Sequence, residues 1–129
     1  MKKIIIDTNI LMMPFEYGVD LMGELLRLIN EPLTLVIPSG VLRELTTLGG
    51  KTGRRAQAAR SAAASLERLK TRFIVEVADS EGEVDGWIIK YACKNKILVA
   101  TNDVPLRRQL RASGVPVVAM KSKAKLDFA

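Results

Sequence analysis

Five short apolar runs, each too brief for a helix and separated from the next by residues of helical character, constrain this chain more than any other feature. They are residues 3–7, 33–37, 73–77, 97–100 and 115–120, with Ile4-Ile5-Ile6 and Leu33-Thr34-Leu35-Val36-Ile37 the clearest. Runs this short, rich in β-branched side chains, read as strands covered on both faces. Between them lie helix signals. Asp20 caps a helix from about residue 21 to 30, with Leu21, Leu25, Leu28 and Ile29 on one face and Pro32 beyond it. Pro38-Ser39 opens a helix over 41–48 that Gly49-Gly50 ends, and the Ala- and Arg-rich stretch 51–72 has no breaker after Gly53. Asp79 or Ser80 caps a helix reaching roughly residue 95, and 104–113 is helical up to Gly114, a C′ glycine. Parallel strands need crossovers, so the alternation predicts an α/β fold around a central parallel sheet of about five strands. The 129 residues hold one domain and no second independent core, with 121–129 expected as a basic C-terminal extension on the surface. Trp87 and Cys93 fall within the pattern of the fourth helix and are expected in or near the core.

What the chain lacks narrows its chemistry. It contains no His and a single Cys, which excludes a His/Cys zinc site, an internal disulfide, and Ser-His-Asp or Cys-His catalysis within one chain. The apolar run behind Lys2-Lys3 is cut by Asp7 after three isoleucines, too soon for a secretory h-region, and no run approaches the ~20 residues of a membrane span. A soluble, cytoplasmic protein without a membrane partner is expected. A formal charge of +6 suits a polyanionic partner.

Four carboxylates stand where the periodicity asks for something else. Asp7 ends the first strand and Asp103 follows the fourth, both at the carboxyl edge where open parallel sheets bind ligands. Glu44 shares a helical stripe with Val41, Leu45 and Leu48, and Asp85 extends the stripe of Ile88, Ile89 and Ala92 by one turn. Each has an ordinary explanation alone: loop caps for Asp7 and Asp103, a rim position beside Arg43 or Lys51 for Glu44, a helix-dipole contact for Asp85. Together they are harder to explain. Two carboxylates ~4 Å apart repel by about 4 kcal/mol at an effective dielectric of 20. Protons or cations must offset that, and without His or interleaved basic residues a hard divalent ion with oxygen ligands, Mg²⁺ or Mn²⁺, fits best.

The chain resembles the PIN-domain nucleases along nearly its whole length. The matching segments are Ile4-Ile5-Ile6-Asp7-Thr8-Asn9, Ile37-Pro38-Ser39 leading to Glu44-Leu45, Val84-Asp85 running to Tyr91-Ala92, and Val99-Ala100-Thr101-Asn102-Asp103. The segment Pro14-Phe15-Glu16-Tyr17-Gly18-Val19-Asp20-Leu21 looks more like the branch related to ribosomal-RNA processing than like the short VapC-type toxins. The resemblance implies a three-layer PIN-like fold. It also implies catalytic and metal-holding roles for Asp7, Glu44, Asp85 and Asp103, supported by Thr8, Asn9, Thr101 and Asn102. Two positions depart from the pattern: many relatives carry an acid directly after the third and another two residues after the fourth, where this chain has Gly86 and Pro105. One or two metals therefore remain open.

A metal held by carboxylates activates water and stabilises charge on phosphate, so phosphodiester hydrolysis follows, leaving a 5′-phosphate and a 3′-hydroxyl. RNA would be drawn in by basic residues: Lys51, Arg54, Arg55 and Arg60; Arg107, Arg108 and Arg111; and Lys121, Lys123 and Lys125 in the tail. Aromatic residues are only 5% of the chain, which argues against sequence-specific reading of single strands. The expectation is a metal-dependent endoribonuclease, in rRNA processing by the resemblance. A toxin ribonuclease held by an antitoxin and a non-cleaving RNA- or protein-binding module are the alternatives. A homodimer and a ribosome-assembly partner are further possibilities of the same reading.

Overall fold

The run Ile4-Ile5-Ile6 becomes the centre of the sheet. In the computed structural model, which describes residues 2–122 and 125–129, strand β1 (Lys2–Ile6) is followed by α1 (Thr8–Tyr17), α2 (Leu21–Leu28), β2 (Leu33–Pro38), α3 (Ser39–Gly49) and α4 (Arg54–Leu69). Then come β3 (Ile74–Ala78), α5 (Val84–Asn95), β4 (Leu98–Ala100), α6 (Val104–Ala112), β5 (Val117–Ser122) and β6 (Lys125–Phe128). The strand order is β3-β2-β1-β4-β5-β6, parallel from β3 through β5, with β6 antiparallel to β5.

Side chains alternate across a strand, so a run buried throughout must be covered on both faces. Ile4 and Ile6 join Leu35 and Ile37 in a core closed by α1, α2, α3 and α4. Ile5 points the other way, into a second core with Val36, Val99 and Val117 beneath α5 and α6. Three layers result, as the resemblance implies. The chain leaves β1 toward β2 on one side and returns as β4 on the other, so the strand order reverses between β1 and β4. A crevice opens at the carboxyl ends of two such strands. No described helix is long and apolar enough to cross a membrane.

Several expectations need correction. Helix α1 has no counterpart in the sequence reading. Ile10, Leu11, Met12 and Met13 are all buried in succession, which leaves no stripe for a helical period, and Pro14 inside the helix reads as a breaker. The sheet has a sixth strand: residues 125–128, expected within a surface extension, pair with β5, and Leu126 is fully buried. The alternating lysines concealed it, a pattern that suits the exposed side of an edge strand; Lys123 lies outside the described residues. Helix α5 starts at Val84 rather than at Asp79 or Ser80, because the buried Ser80 Oγ is occupied in accepting from the Gly40 amide at 2.8 Å. Cys93 is exposed, not near the core. Trp87 is half-buried against the second core and stacks on Tyr91 at a ring separation of 4.5 Å.

Candidate active site

The first acid is fixed by the turn that leaves the central strand. Asp7 is the N-cap of α1, and its Oδ1 accepts from the Thr8 amide at 2.8 Å. Its Oδ2 accepts from Thr101 Oγ1 at 2.7 Å and from Asn9 Nδ2 at 3.4 Å. The register that pairs Ile6 with Ala100 sets Thr101 beside Asp7. Asp7 is only 5% exposed, and burial raises its carboxyl above the ordinary value, against the lowering by the Thr101 and Thr8 hydrogen bonds.

Asp103 stands at the start of α6, where its Oδ1 accepts from the Leu106 amide at 2.9 Å. The Asp103 amide itself donates to Thr101 Oγ1 at 3.1 Å, so one buried hydroxyl links both strand-end acids. Glu44 is exposed rather than on the buried stripe of α3. Its Oε2 accepts from Thr8 Oγ1 at 2.8 Å, while the neighbouring Arg43 donates instead to the Ser80 carbonyl at 2.9 Å. Asp85, in the first turn of α5, is pushed up to about 6, by burial first and then by the charges of Asp7, Asp103, Glu83 and Glu44.

These four acids share one cavity of about 310 Å³ with Thr8 and Asn9. The two asparagines brace the loops around it: Asn9 Oδ1 accepts from the Asn102 amide at 3.0 Å, and Asn102 Oδ1 accepts from the Met120 amide at 2.8 Å. The sequence reading missed Glu83, a fifth acid on the cavity wall, because it placed the start of α5 too early. Arg55, expected among the residues that draw in RNA, lines the cavity itself.

The other basic residues divide by use. Arg60 is committed to the backbone, donating to the Gly49 carbonyl at 2.7 Å and the Lys51 carbonyl at 3.3 Å, and Lys51 is exposed. Arg54 lines a neighbouring groove beside Arg55. Arg107, Arg108 and Arg111 on α6 line a separate cavity of about 220 Å³ with Lys121, and Arg107 Nε is buried without an acceptor among the described residues. Lys125 is exposed on β6.

Carboxylate oxygens facing one cavity, where burial first and the neighbouring acids second raise Asp85, are the donor chemistry of a hard divalent cation. Among the described residues no three of the acids already stand as a closed ligand set. The fit thus rests on donor type and shared cavity.

Comparison with known proteins gives the same direction. The chain is 28% identical over 129 residues to Ribonuclease VapC4 of Methanocaldococcus jannaschii, covering 99% of this chain and 97% of the relative. It is 31% identical over 123 residues to Ribonuclease VapC9 of Archaeoglobus fulgidus, covering 95% and 85%. Among solved structures, the PIN domain endonuclease Utp24 superposes with a TM-score of 0.77 at 25% identity, over 98% of this chain and 90% of that one. Residues 4–123 match the family model of the PIN like domain, and the chain belongs to that family.

Proposed function

We propose that this chain is a metal-dependent endoribonuclease that hydrolyses RNA phosphodiester bonds at the cavity of Asp7, Glu44, Asp85 and Asp103. The observation that carries the reading is the meeting of these four carboxylates, from four separate elements, in one cavity at the strand-order reversal. Mg²⁺ or Mn²⁺ is the ion class these residues would hold, and such an ion supplies an activated water at neutral pH and positive charge for the phosphate. The similarity to two ribonucleases and an endonuclease supports RNA as the substrate class.

The chain's own residues orient the groups. Thr101 holds Asp7 Oδ2 and Thr8 holds Glu44 Oε2, so neither carboxylate spends substrate-binding free energy on being aligned. The cap bond from Leu106 occupies one oxygen of Asp103 and leaves the other to the cavity. Arg55 brings a cation to a wall that would otherwise repel phosphate. Lys51, Arg54, Arg107 and Arg108 extend that attraction over the adjoining surface.

The reading is tested by incubating structured and unstructured RNA with the protein in Mg²⁺, in Mn²⁺ and in EDTA, and identifying the new ends. Cleavage in either metal, none in EDTA, and 5′-phosphate with 3′-hydroxyl products support it. Binding without cleavage in every condition would make the chain a non-cutting RNA module. A role in rRNA processing is proposed from the segment 14–21 and the likeness to Utp24. The two VapC ribonucleases favour a second biological reading, a toxin held by an antitoxin in the cytoplasm. Growth arrest on expression, relieved by a co-encoded small protein, selects the second.

A further inference from the structure

Beside the acid cavity lies a larger groove, about 570 Å³, between the end of α1 and the start of α4. Arg55 lines both, so the two share a wall. The groove holds two of the chain's six aromatic residues, Phe15 and Tyr17, and both are unusually open, at 43% and 56% exposed. Large apolar rings this exposed on one concave surface mark a contact site rather than packing. Both belong to the last turn of α1, which Gly18 ends in the left-handed conformation at φ 70°, so they project from a fixed helix end. Opposite them, Arg54 forms no ion pair among the described residues, and Arg55 pairs with Glu16 at 3.5 Å while remaining 64% exposed. Gln57 and Ser61 add hydrogen-bonding groups to the same wall.

We infer that this groove binds the unpaired RNA segment adjoining the scissile phosphate, with bases stacked on Tyr17 and Phe15 and phosphates held by Arg54 and Arg55. The inference rests on the ribonuclease reading above and adds to it a binding site: the groove of Phe15, Tyr17, Arg54 and Arg55 beside the acid cavity. Aromatic faces and cationic side chains on one groove are what sequence-tolerant single-strand binding uses, and a paired base has no free face to offer. The low aromatic content noted from the sequence is real, but a third of it is gathered here. The continuity through Arg55 favours a strand running into the acid cavity over an unrelated protein occupant.

The test is fluorescence anisotropy of a labelled unstructured RNA and of a fully paired hairpin, in EDTA, across a salt series. Tyr17→Ala is expected to weaken binding of the unstructured RNA by about 5- to 150-fold with an unchanged salt slope, and to leave the hairpin unaffected. Tyr17→Trp should restore binding. Arg54→Ala should lower the log–log salt slope by roughly 0.7. Both side chains are exposed, so equal melting temperatures are expected and serve as the folding control. Equal affinity of wild type and Tyr17→Ala for unstructured RNA, or an equal loss on the hairpin, overturns the groove assignment. Cleavage in Mn²⁺ separates the two ideas. Stacking effects on RNA that is never cut contradict the nuclease alone, whereas normal cleavage with unchanged Tyr17→Ala affinity contradicts the groove alone.

Discussion

Thr101 carries more than its size suggests, since one fully buried hydroxyl donates to Asp7 and accepts from the Asp103 amide. Thr101→Val keeps the shape and removes both bonds. We expect a loss of about 1–3 kcal/mol in urea-unfolding stability and a 10- to 100-fold fall in activity, the range seen when an outer partner of a metal-holding residue is removed. An unchanged kcat would mean that the hydroxyl only fills space. Asp85 gives a second residue-scale prediction. Its carboxyl is raised to about 6 in the folded chain from an ordinary 3.8, so between those values the folded state binds more protons than the unfolded one. Stability in EDTA must then fall as pH rises from about 4 to about 6 and level off above that. Asp7, also raised, acts in the same sense. Denaturation midpoints across pH should decline less steeply in Asp85→Asn than in wild type; parallel curves would remove Asp85 as a source. The four acids stood out because each falls where the sequence pattern asks for an apolar or neutral residue, although Glu44 proves exposed rather than part of the buried stripe. Glu83 did not, since a surface acid before a helix carries no local signal that it turns toward a cavity; Arg55 was picked out only as one of a basic cluster, with nothing to set it apart from Arg54.

At the scale of elements, strands were easier to read than their partners. The runs that form β1, β2 and β4 are mostly apolar without alternation because both faces of the sheet are covered, and that signal is local. Helix α1 is invisible for the same reason: buried residues in succession erase the amphipathic period, and Pro14 argues against the helix it occupies. Strand β6 depends on non-local contacts. Glu24 of α2 accepts from the Leu126 amide at 2.8 Å, and Arg27 donates to the Leu126 carbonyl at 2.7 Å, so a helix 99 residues earlier pins the last strand. Leu126→Ala should accordingly destabilise by about 2–5 kcal/mol in urea denaturation. A loss below about 0.5 kcal/mol, as for an ordinary surface position, would return the segment to the loose extension that its lysines suggest.

The molecule as a whole sets an acid cavity within a chain of net charge +6, an arrangement that separates attraction of a polyanion from the chemistry done on it. The parallel order and its reversal between β1 and β4 bring together acids separated by most of the sequence, from Asp7 to Asp103, so the sequence could propose the site but only the topology assembles it. A cation that binds this assembled cavity and not the unfolded chain stabilises by about 2.7 kcal/mol at a hundredfold excess over Kd. Millimolar Mn²⁺ should therefore raise the Tm of wild type and raise that of Asp7→Asn less; equal rises would place the ions elsewhere.

The central claim is that the four carboxylates form one metal-dependent centre that cuts RNA, and cleavage time courses of matched variants test it most directly. Wild type, Asp7→Asn, Asp103→Asn and Asp127→Asn are compared on one RNA in Mn²⁺, with EDTA added midway. Asn at position 7 can still accept from the Thr8 amide, so the cap of α1 is kept and the fold with it. The account predicts that Asp7→Asn and Asp103→Asn lose at least about 100-fold in rate, no less than the loss of an outer partner costs. Asp127→Asn, on the exposed edge of β6, should cut like wild type, and EDTA should stop every active sample. Cleavage by Asp7→Asn at the wild-type rate, or cleavage that continues through EDTA, would contradict it.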